Sequence, residues 1–217
     1  MVISDAQFGF RKGRSTVDAI FVLNAVVSKC LNENKRLACA FIDFKKAFDS
    51  IYRNGLWLKL YTLGIRGKVL RIVKNLYAKV KVRVRCCSSY SEFFECSVGL
   101  KQGEVMSPLL FSLFLEDLEM FLLDDVNSGI TIDDISFILM LFADDMVILG
   151  KNVEELQKNL DLLHDYCRTW GLEVNPDKSK IVVVRKRGPV RVTEKWLYGD
   201  KLLEVVDNFN YLGTVFN

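Results

Sequence analysis

Three aspartates in this chain are placed to do chemistry together. Asp144 and Asp145 are adjacent and lie between two apolar runs, residues 135–142 and 146–149. Apolar runs of that length, interrupted by two charges, predict a strand, a tight turn and a second strand, with the acids at the tip. Another strand-like run, Leu37–Ile42, delivers Asp43 at its end. Holding carboxylates together between buried strands is costly unless a cation compensates them. Three strand-end carboxylates make a hard, oxygen-rich site suited to Mg²⁺ and two-metal phosphoryl transfer. Taken alone, Asp-Asp in a hairpin is more often an acidic turn than a metal site, so the surrounding elements decide.

Those elements follow from local signals. Ser15-Thr16-Val17-Asp18 predicts a helix start, with Ser15 capping and Asp18 three residues on. Val17, Ile20, Leu23, Val27 and Leu31 continue at helical spacing to about Leu31. After Asp43 the pattern predicts a turn into a helix over 44–52, then two helices over 56–78 split near Gly64 and Gly67. Lys79, Lys81, Arg83 and Arg85 alternate strictly with Val80, Val82 and Val84, which predicts a strand with a valine face and a basic face. Such a face either blocks edge-to-edge aggregation or meets phosphates. Ser107-Pro108 predicts the start of a buried helix over 109–123. Asn152 opens another helix that Gly171 closes, and the tail alternates short strands with turns. The whole predicts an α+β fold around a mainly antiparallel sheet.

Composition narrows the function class. The 217 residues are 50% hydrophobic with mean hydropathy +0.16, which suggests apolar surface that packs against a segment outside this chain. Apolar stretches are too short to span a bilayer, and residues 1–10 show no secretory signal, so an intracellular setting, nucleus or cytoplasm, is expected. The net charge of +3 hides a segregation: residues 50–91 hold ten Lys/Arg and no acid, while 102–150 hold ten acids and no Lys/Arg. The basic block suits a phosphate backbone and the acidic block suits cations, unless the two simply attract each other. Six cysteines without C-x-x-C spacing and a single histidine argue against a zinc finger or a histidine triad, and predict buried, reduced thiols.

In this order the segments resemble reverse transcriptases, most closely those of non-long-terminal-repeat (LINE-type) retrotransposons. The stretch from Gln7 to Thr16 is similar to the passage from fingers to palm, Ala40 to Asp49 to polymerase motif A, and Gly99 to Gly103 with Ser107-Pro108 to motif B. Phe142-Ala143-Asp144-Asp145 is similar to motif C, Gly171-Leu172 with Asn175 and Lys178 to motif D, and Tyr211-Leu212-Gly213 to the primer grip. Six segments in order cover nearly the whole chain. A homing or intron-encoded reverse transcriptase is the nearest rival, though Tyr is commoner there at the place of Phe142.

The resemblance implies an RNA-directed DNA polymerase that extends a DNA primer with deoxynucleoside triphosphates on an RNA or DNA template. Asp43, Asp144 and the Phe44 carbonyl would hold two Mg²⁺ ions, with Mn²⁺ an alternative, and Asp145 would be a third carboxylate. Phe48 would exclude a 2′-hydroxyl, Gln102 and Gly103 would contact the nascent base pair, and Lys178 would protonate pyrophosphate. Arg11, Arg14, the basic strand and Tyr211-Leu212-Gly213 would touch nucleic acid. It implies a reverse transcriptase domain fragment over 1–217: a fingers-to-palm segment over 1–36 and palm over 37–217, with upstream fingers and thumb missing. Glu104-Val105-Met106 departs from the family's commoner residues there. The competing expectations are a catalytically inactive remnant, or a module that only binds RNA or DNA. A protein-interaction domain would need the ordered segments to be coincidental.

Overall fold

One strand, β1 (Leu37–Ile42), is buried at all six positions and organises the rest. The computed structural model describes residues 3–123, 129–189 and 191–217, so Asp124 and Asp125 of the acidic block lie outside the described residues. Helix α1 (Thr16–Asn32) precedes β1, and α2 (Arg53–Thr62) and α3 (Gly67–Tyr77) follow it. An exposed arm comes next, made of β2 (Lys81–Val82), β3 (Arg85–Cys86), β4 (Ser89–Tyr90) and β5 (Phe94–Glu95). Then come α4 (Ser107–Phe114), α5 (Leu118–Leu122), β6 (Ile130–Ile132), β7 (Ile135–Phe137), β8 (Leu139–Phe142) and β9 (Asp145–Gly150). Helix α6 (Val153–Trp170) leads to β10 (Lys180–Val184). The short strands β11 (Leu197–Tyr198), β12 (Lys201–Leu202), β13 (Glu204–Val206), β14 (Phe209–Tyr211) and β15 (Thr214–Phe216) complete the chain.

The central sheet runs β13-β10-β1-β9-β8. Every pair is antiparallel except β10 with β13, so the fold is α+β as the sequence predicts. Period-two alternation splits β1 between two cores. Ala38, Ala40 and Ile42 join the cluster filled by α2, α4 and α6. Leu37, Cys39 and Phe41 face Leu23 and Val26 of α1 and Tyr211 and Phe216 of the last hairpin. Both faces are covered, which is why the strand reads as an unbroken apolar run.

Several helix ends form as the sequence dictates. Ser15 donates through its backbone N–H and its Oγ to Asp18 Oδ2, each at 2.7 Å. Asn152 accepts from the Glu155 N–H at 2.8 Å, and Gly171 closes α6 at φ +72°. The buried stripe of α1 is nevertheless Ala19, Leu23, Val26 and Cys30, whereas Val17 is 69% exposed. Small side chains that a hydropathy pattern undervalues set the face that packs.

Other elements differ from expectation for physical reasons. Residues 44–52 form turns rather than a helix: Lys46 has φ +48°, and the Phe48 and Ile51 carbonyls accept from Leu100 and Gly99 N–H at 2.8 Å. The expected strand over 79–85 is only β2 and β3. Pairs Lys81↔Glu95 and Val82↔Phe94 give way to Arg85↔Tyr90 and Cys86↔Ser89, one residue out of register, so a bulge breaks the alternation. Of its valine face only Val80 packs against a core, while Val82 is 36% and Val84 58% exposed. The helix expected over 109–123 stops at Phe114 and resumes at Leu118. Ser107 is the first residue of α4 rather than its cap, and its Oγ donates to the Lys101 carbonyl at 2.6 Å. Cys30, Cys39 and Cys167 are buried as expected, but Cys86 and Cys87 are exposed.

Part of the basic block is structural. The Arg53 guanidinium is buried and donates to the carbonyls of Gly99, Tyr77, Cys96 and Val98 at 2.7–3.2 Å. Lys59, 5% exposed, donates to the Phe114 carbonyl at 2.7 Å, to Asp117 Oδ1 at 2.6 Å and to the Tyr166 hydroxyl. Its ammonium also lies 3.9 Å from the Trp170 ring centroid. Burial pulls its pKa down to about 8, against the opposing pull of Asp117. Below that pH both folded and unfolded chains carry the charge, and the burial cost is felt in full. Above it the folded state sheds the proton first, so stability rises until the unfolded lysine also titrates. Urea unfolding should therefore show wild type gaining about 2 kcal/mol more than Lys59→Met between pH 7.5 and 9.5. Equal gains would show that Lys59 is not the group responsible.

Candidate active site

Neighbouring strand ends bring the carboxylates together. The β1–β9 ladder ends at Ile42↔Met146, so Asp43 and Asp145 follow directly opposite each other. β8 and β9 close with Phe142↔Asp145, leaving a two-residue loop, Ala143-Asp144. Asp144 therefore sits at the tip and Asp145 on the strand. Ala143 has φ +59°, a left-handed conformation that costs an L residue about 1 kcal/mol. Asp145's pKa is raised, first by burial and then by the charges of Asp144 and Asp43.

Backbone contacts fix the rest of this edge. The Asn175 N–H donates to the Asp43 carbonyl and the Lys45 N–H to the Glu173 carbonyl, both at 2.7 Å, bracketing a bridge of Phe44 with Val174. In that pattern Phe44's own N–H and C=O point the other way, towards the side β9 occupies. The Asp43 N–H is held by Ser179 Oγ at 3.1 Å. A cavity of about 720 Å³ beside Asp43 is lined also by Lys45, Lys46, Asp49 and Lys178.

Two residues that sequence reasoning gave no role support the loop. Gln7, 2% exposed, accepts through Oε1 from the N–H groups of Gly9 at 2.8 Å and Ala143 at 3.1 Å. The Phe8 N–H donates to the Leu141 carbonyl at 2.7 Å. A Cβ on Gly9 would lie 2.3 Å from the Ala143 nitrogen, so only glycine allows this approach. The signal available was a Gln-x-Gly next to a helix cap, which says nothing about a strand more than a hundred residues away.

Residues 1–216 match the family model described as Reverse transcriptase (RNA-dependent DNA polymerase). The chain belongs to the reverse transcriptase family. Over 82% of its length this reverse transcriptase is 30% identical to a probable RNA-directed DNA polymerase from transposon BS of Drosophila melanogaster, of which it covers 20%. It is 24% identical to the RNA-directed DNA polymerase from mobile element jockey of Drosophila funebris, covering 97% of this chain and 23% of that one. It is 28% identical to the Pol polyprotein from the R2 element of Popillia japonica, covering 97% and 31%. The chain thus spans about a fifth to a third of these relatives' length. Its fold is like that of apo telomerase from Candida tropicalis, at TM-score 0.63 and 16% identity over 88% of this chain and 38% of that one. Among its described residues no helix is long and apolar enough to cross a membrane.

Reverse transcriptases generally use divalent metal ions, and the residues present fit one. Among the described residues Asp43, Asp144 and Asp145 make no ion pair, and no donor bonds their carboxylates. Such crowded, uncompensated acids suit a cation. Among the described residues no group of three His, Cys, Asp or Glu side chains forms a ready-made metal cage, so backbone and substrate oxygens would have to complete the coordination.

The remaining predicted site residues fall in different places in this reverse transcriptase. Phe48 is half-buried and stacks on Phe111 at 4.6 Å between ring centroids. Gln102 Nε2 donates to Asp49 Oδ1 at 3.2 Å, and Gly103 has φ +80° beside open space. Lys178 lies in the Asp43 cavity. Arg11 donates to the Ser4 carbonyl at 2.7 Å, and Arg14 pairs with Asp5 and stacks 5.0 Å over Phe8. Arg83 lies 3.9 Å from the Tyr90 ring and 5.0 Å from Phe93, on the same exposed arm as Lys81 and Arg85, with Lys79 at its base. Tyr211 is 3% exposed, at the hairpin turning at Leu212-Gly213; burial, then the Asp145 charge, raise its pKa.

Gly9→Ala should push the Ala143-Asp144 loop out of place. An unfolding free energy lower by roughly 1–3 kcal/mol, and a melting temperature down by a few degrees, is expected. An unchanged melting curve would contradict the close packing described.

Proposed function

We propose that this chain is the catalytic palm of an RNA-directed DNA polymerase from a non-LTR retrotransposon, with residues 1–36 joining fingers to palm and 37–217 forming the palm. The observation that carries this reading is that Asp43 and Asp145 directly follow the last β1–β9 pair, beside Asp144 at the tip, and that none of the three makes an ion pair among the described residues. Asp43, Asp144 and the Phe44 carbonyl would hold two Mg²⁺ or Mn²⁺ ions, with Asp145 in support. Bound there, such ions would supply the charge that acidifies the primer 3′-hydroxyl and neutralises the departing pyrophosphate.

The protein's own groups position the reactants. The primer oxygen bonds to the α-phosphorus of a deoxynucleoside triphosphate as the bond to pyrophosphate breaks. Lys178, in the cavity beside Asp43, lies where it can give a proton to that leaving group. Gln102, held by Asp49, and Gly103, with open space beside it, form the floor for the nascent base pair. The Phe48 ring, braced on Phe111, occupies the space of a 2′-hydroxyl. The RNA template and DNA primer lie along Lys79, Lys81, Arg83 and Arg85 and the Tyr211-Leu212-Gly213 hairpin, with Arg11 and Arg14 bordering the template path.

Primer extension on an RNA template with deoxynucleotides and Mg²⁺ tests this. Asp144→Asn should lower extension roughly 10²–10³-fold. Phe48→Ala should retain deoxynucleotide addition and raise ribonucleotide incorporation roughly tenfold or more. Metal-independent RNA binding with no extension, in the chain and in a version extended at both ends, would instead identify a binding module.

A further inference from the structure

We propose that the end of the central sheet opposite the carboxylates carries a second nucleic-acid contact, a groove that holds a phosphate backbone. β1 and β10 are antiparallel with Leu37 opposite Val184, so the residues entering one strand meet those leaving the other. Asn34, at φ +55°, turns the chain out of α1, and the Lys35 N–H donates back to the Cys30 carbonyl at 2.8 Å. Lys35 and Arg36 are thereby delivered to the same sheet end as Arg185, Lys186, Arg187 and Arg191. These six cations and Asn34 line one cavity of about 570 Å³, with no acid among the described residues of its wall. An adjoining cavity of about 680 Å³ shares Lys35, Arg36 and Arg191 and adds Lys29 and Lys151 against a single acid, Glu33. Asp43 lies at the other end of β1, roughly 20 Å away at strand rise, so this groove is separate from the active site.

Internal pairing accounts for only part of the charge. Arg36 is held by Glu194 at 2.6–2.7 Å, Lys35 by Glu33 at 2.7 Å, and Arg185 lies 3.6 Å from Asp207. Among the described residues Lys186 reaches only the neutral Asn34 Oδ1, at 3.2 Å. Among the described residues the side chains of Arg187 and Arg191 bond no acceptor. Cations brought from segments about 150 residues apart to face one cavity repel each other wherever no acid offsets them. An extended polyanion removes the penalty. Four of the six are arginines, whose forked guanidinium matches phosphate oxygens, and a continuous groove suits a chain of phosphates better than a lone anion. The choice of nucleic acid as that polyanion rests on the function proposed above.

Fluorescence anisotropy of a labelled 30-nucleotide RNA, titrated with the full chain across a salt series, tests the groove. The variant Lys186→Gln/Arg187→Gln/Arg191→Gln should bind about tenfold or more weakly. The slope of its log affinity against log salt should be flatter by about 2, as expected for three lost phosphate contacts on a single strand. Should that variant fold poorly, Arg187→Gln alone should flatten the slope by about 0.7. Wild-type affinity and slope in the folded variants, or no RNA binding by wild type, would overturn the proposal. Primer extension is read separately, so loss of RNA affinity in the variant upholds the groove even where neither the chain nor a version extended at both ends extends a primer, the result that would refute polymerase function.

Discussion

The register between β1 and β9 is the constraint on which the site depends. Ile42↔Met146 is its last pair, and it sets Asp43 against Asp145. A one-residue slip would turn every side chain of β1 to the other face and exchange its two cores. Burial of Asp145, then repulsion from Asp144 and Asp43, raise its pKa and oppose the arrangement. What holds it is burial: β1 is covered on both sides, by α2, α4 and α6 on one and by α1 and the last hairpin on the other. Apolar packing fixes the strands, and the strands hold the acids where electrostatics alone would separate them.

Supports from distant parts of the chain then fix the loops at that edge. Gln7 and Gly9 grip the Ala143-Asp144 turn, Asn175 and Ser179 hold the backbone at Asp43, and Arg53 ties four carbonyls around Gly99. Each uses a polar group inside the fold, satisfying backbone donors or acceptors that loops would otherwise leave bare. Arg53 and Lys59 show that charge in a basic segment can serve cohesion rather than ligand binding.

Much of this was legible in the sequence because the signals were local. Leu37–Ile42, the strands around Asp144, the capped starts of α1 and α6 and the Gly171 stop all follow from short patterns. The polymerase resemblance rested on segment order, and the fold and family agree with it. What could not be read depends on contacts between distant residues. The bulge in the basic arm arises from its pairing partner, the turns at 44–52 from bonds to Gly99 and Leu100, and the face of α1 from tertiary packing. The Gln7 support and the groove at the far sheet end bring together segments more than a hundred residues apart. No spacing rule reaches that far.

The central claim is that these carboxylates hold divalent metal, and Mn²⁺ binding followed by electron paramagnetic resonance in the presence of a deoxynucleoside triphosphate measures it directly. Because free nucleotide also binds Mn²⁺, the protein-bound signal should be referred to a nucleotide-only control. Wild type should bind Mn²⁺ beyond that control, and Asp43→Asn/Asp144→Asn should abolish the excess while leaving the protein folded. Equal excess binding by the folded double variant would show that the metal lies elsewhere and that the strand-end acids are no more than an acidic turn.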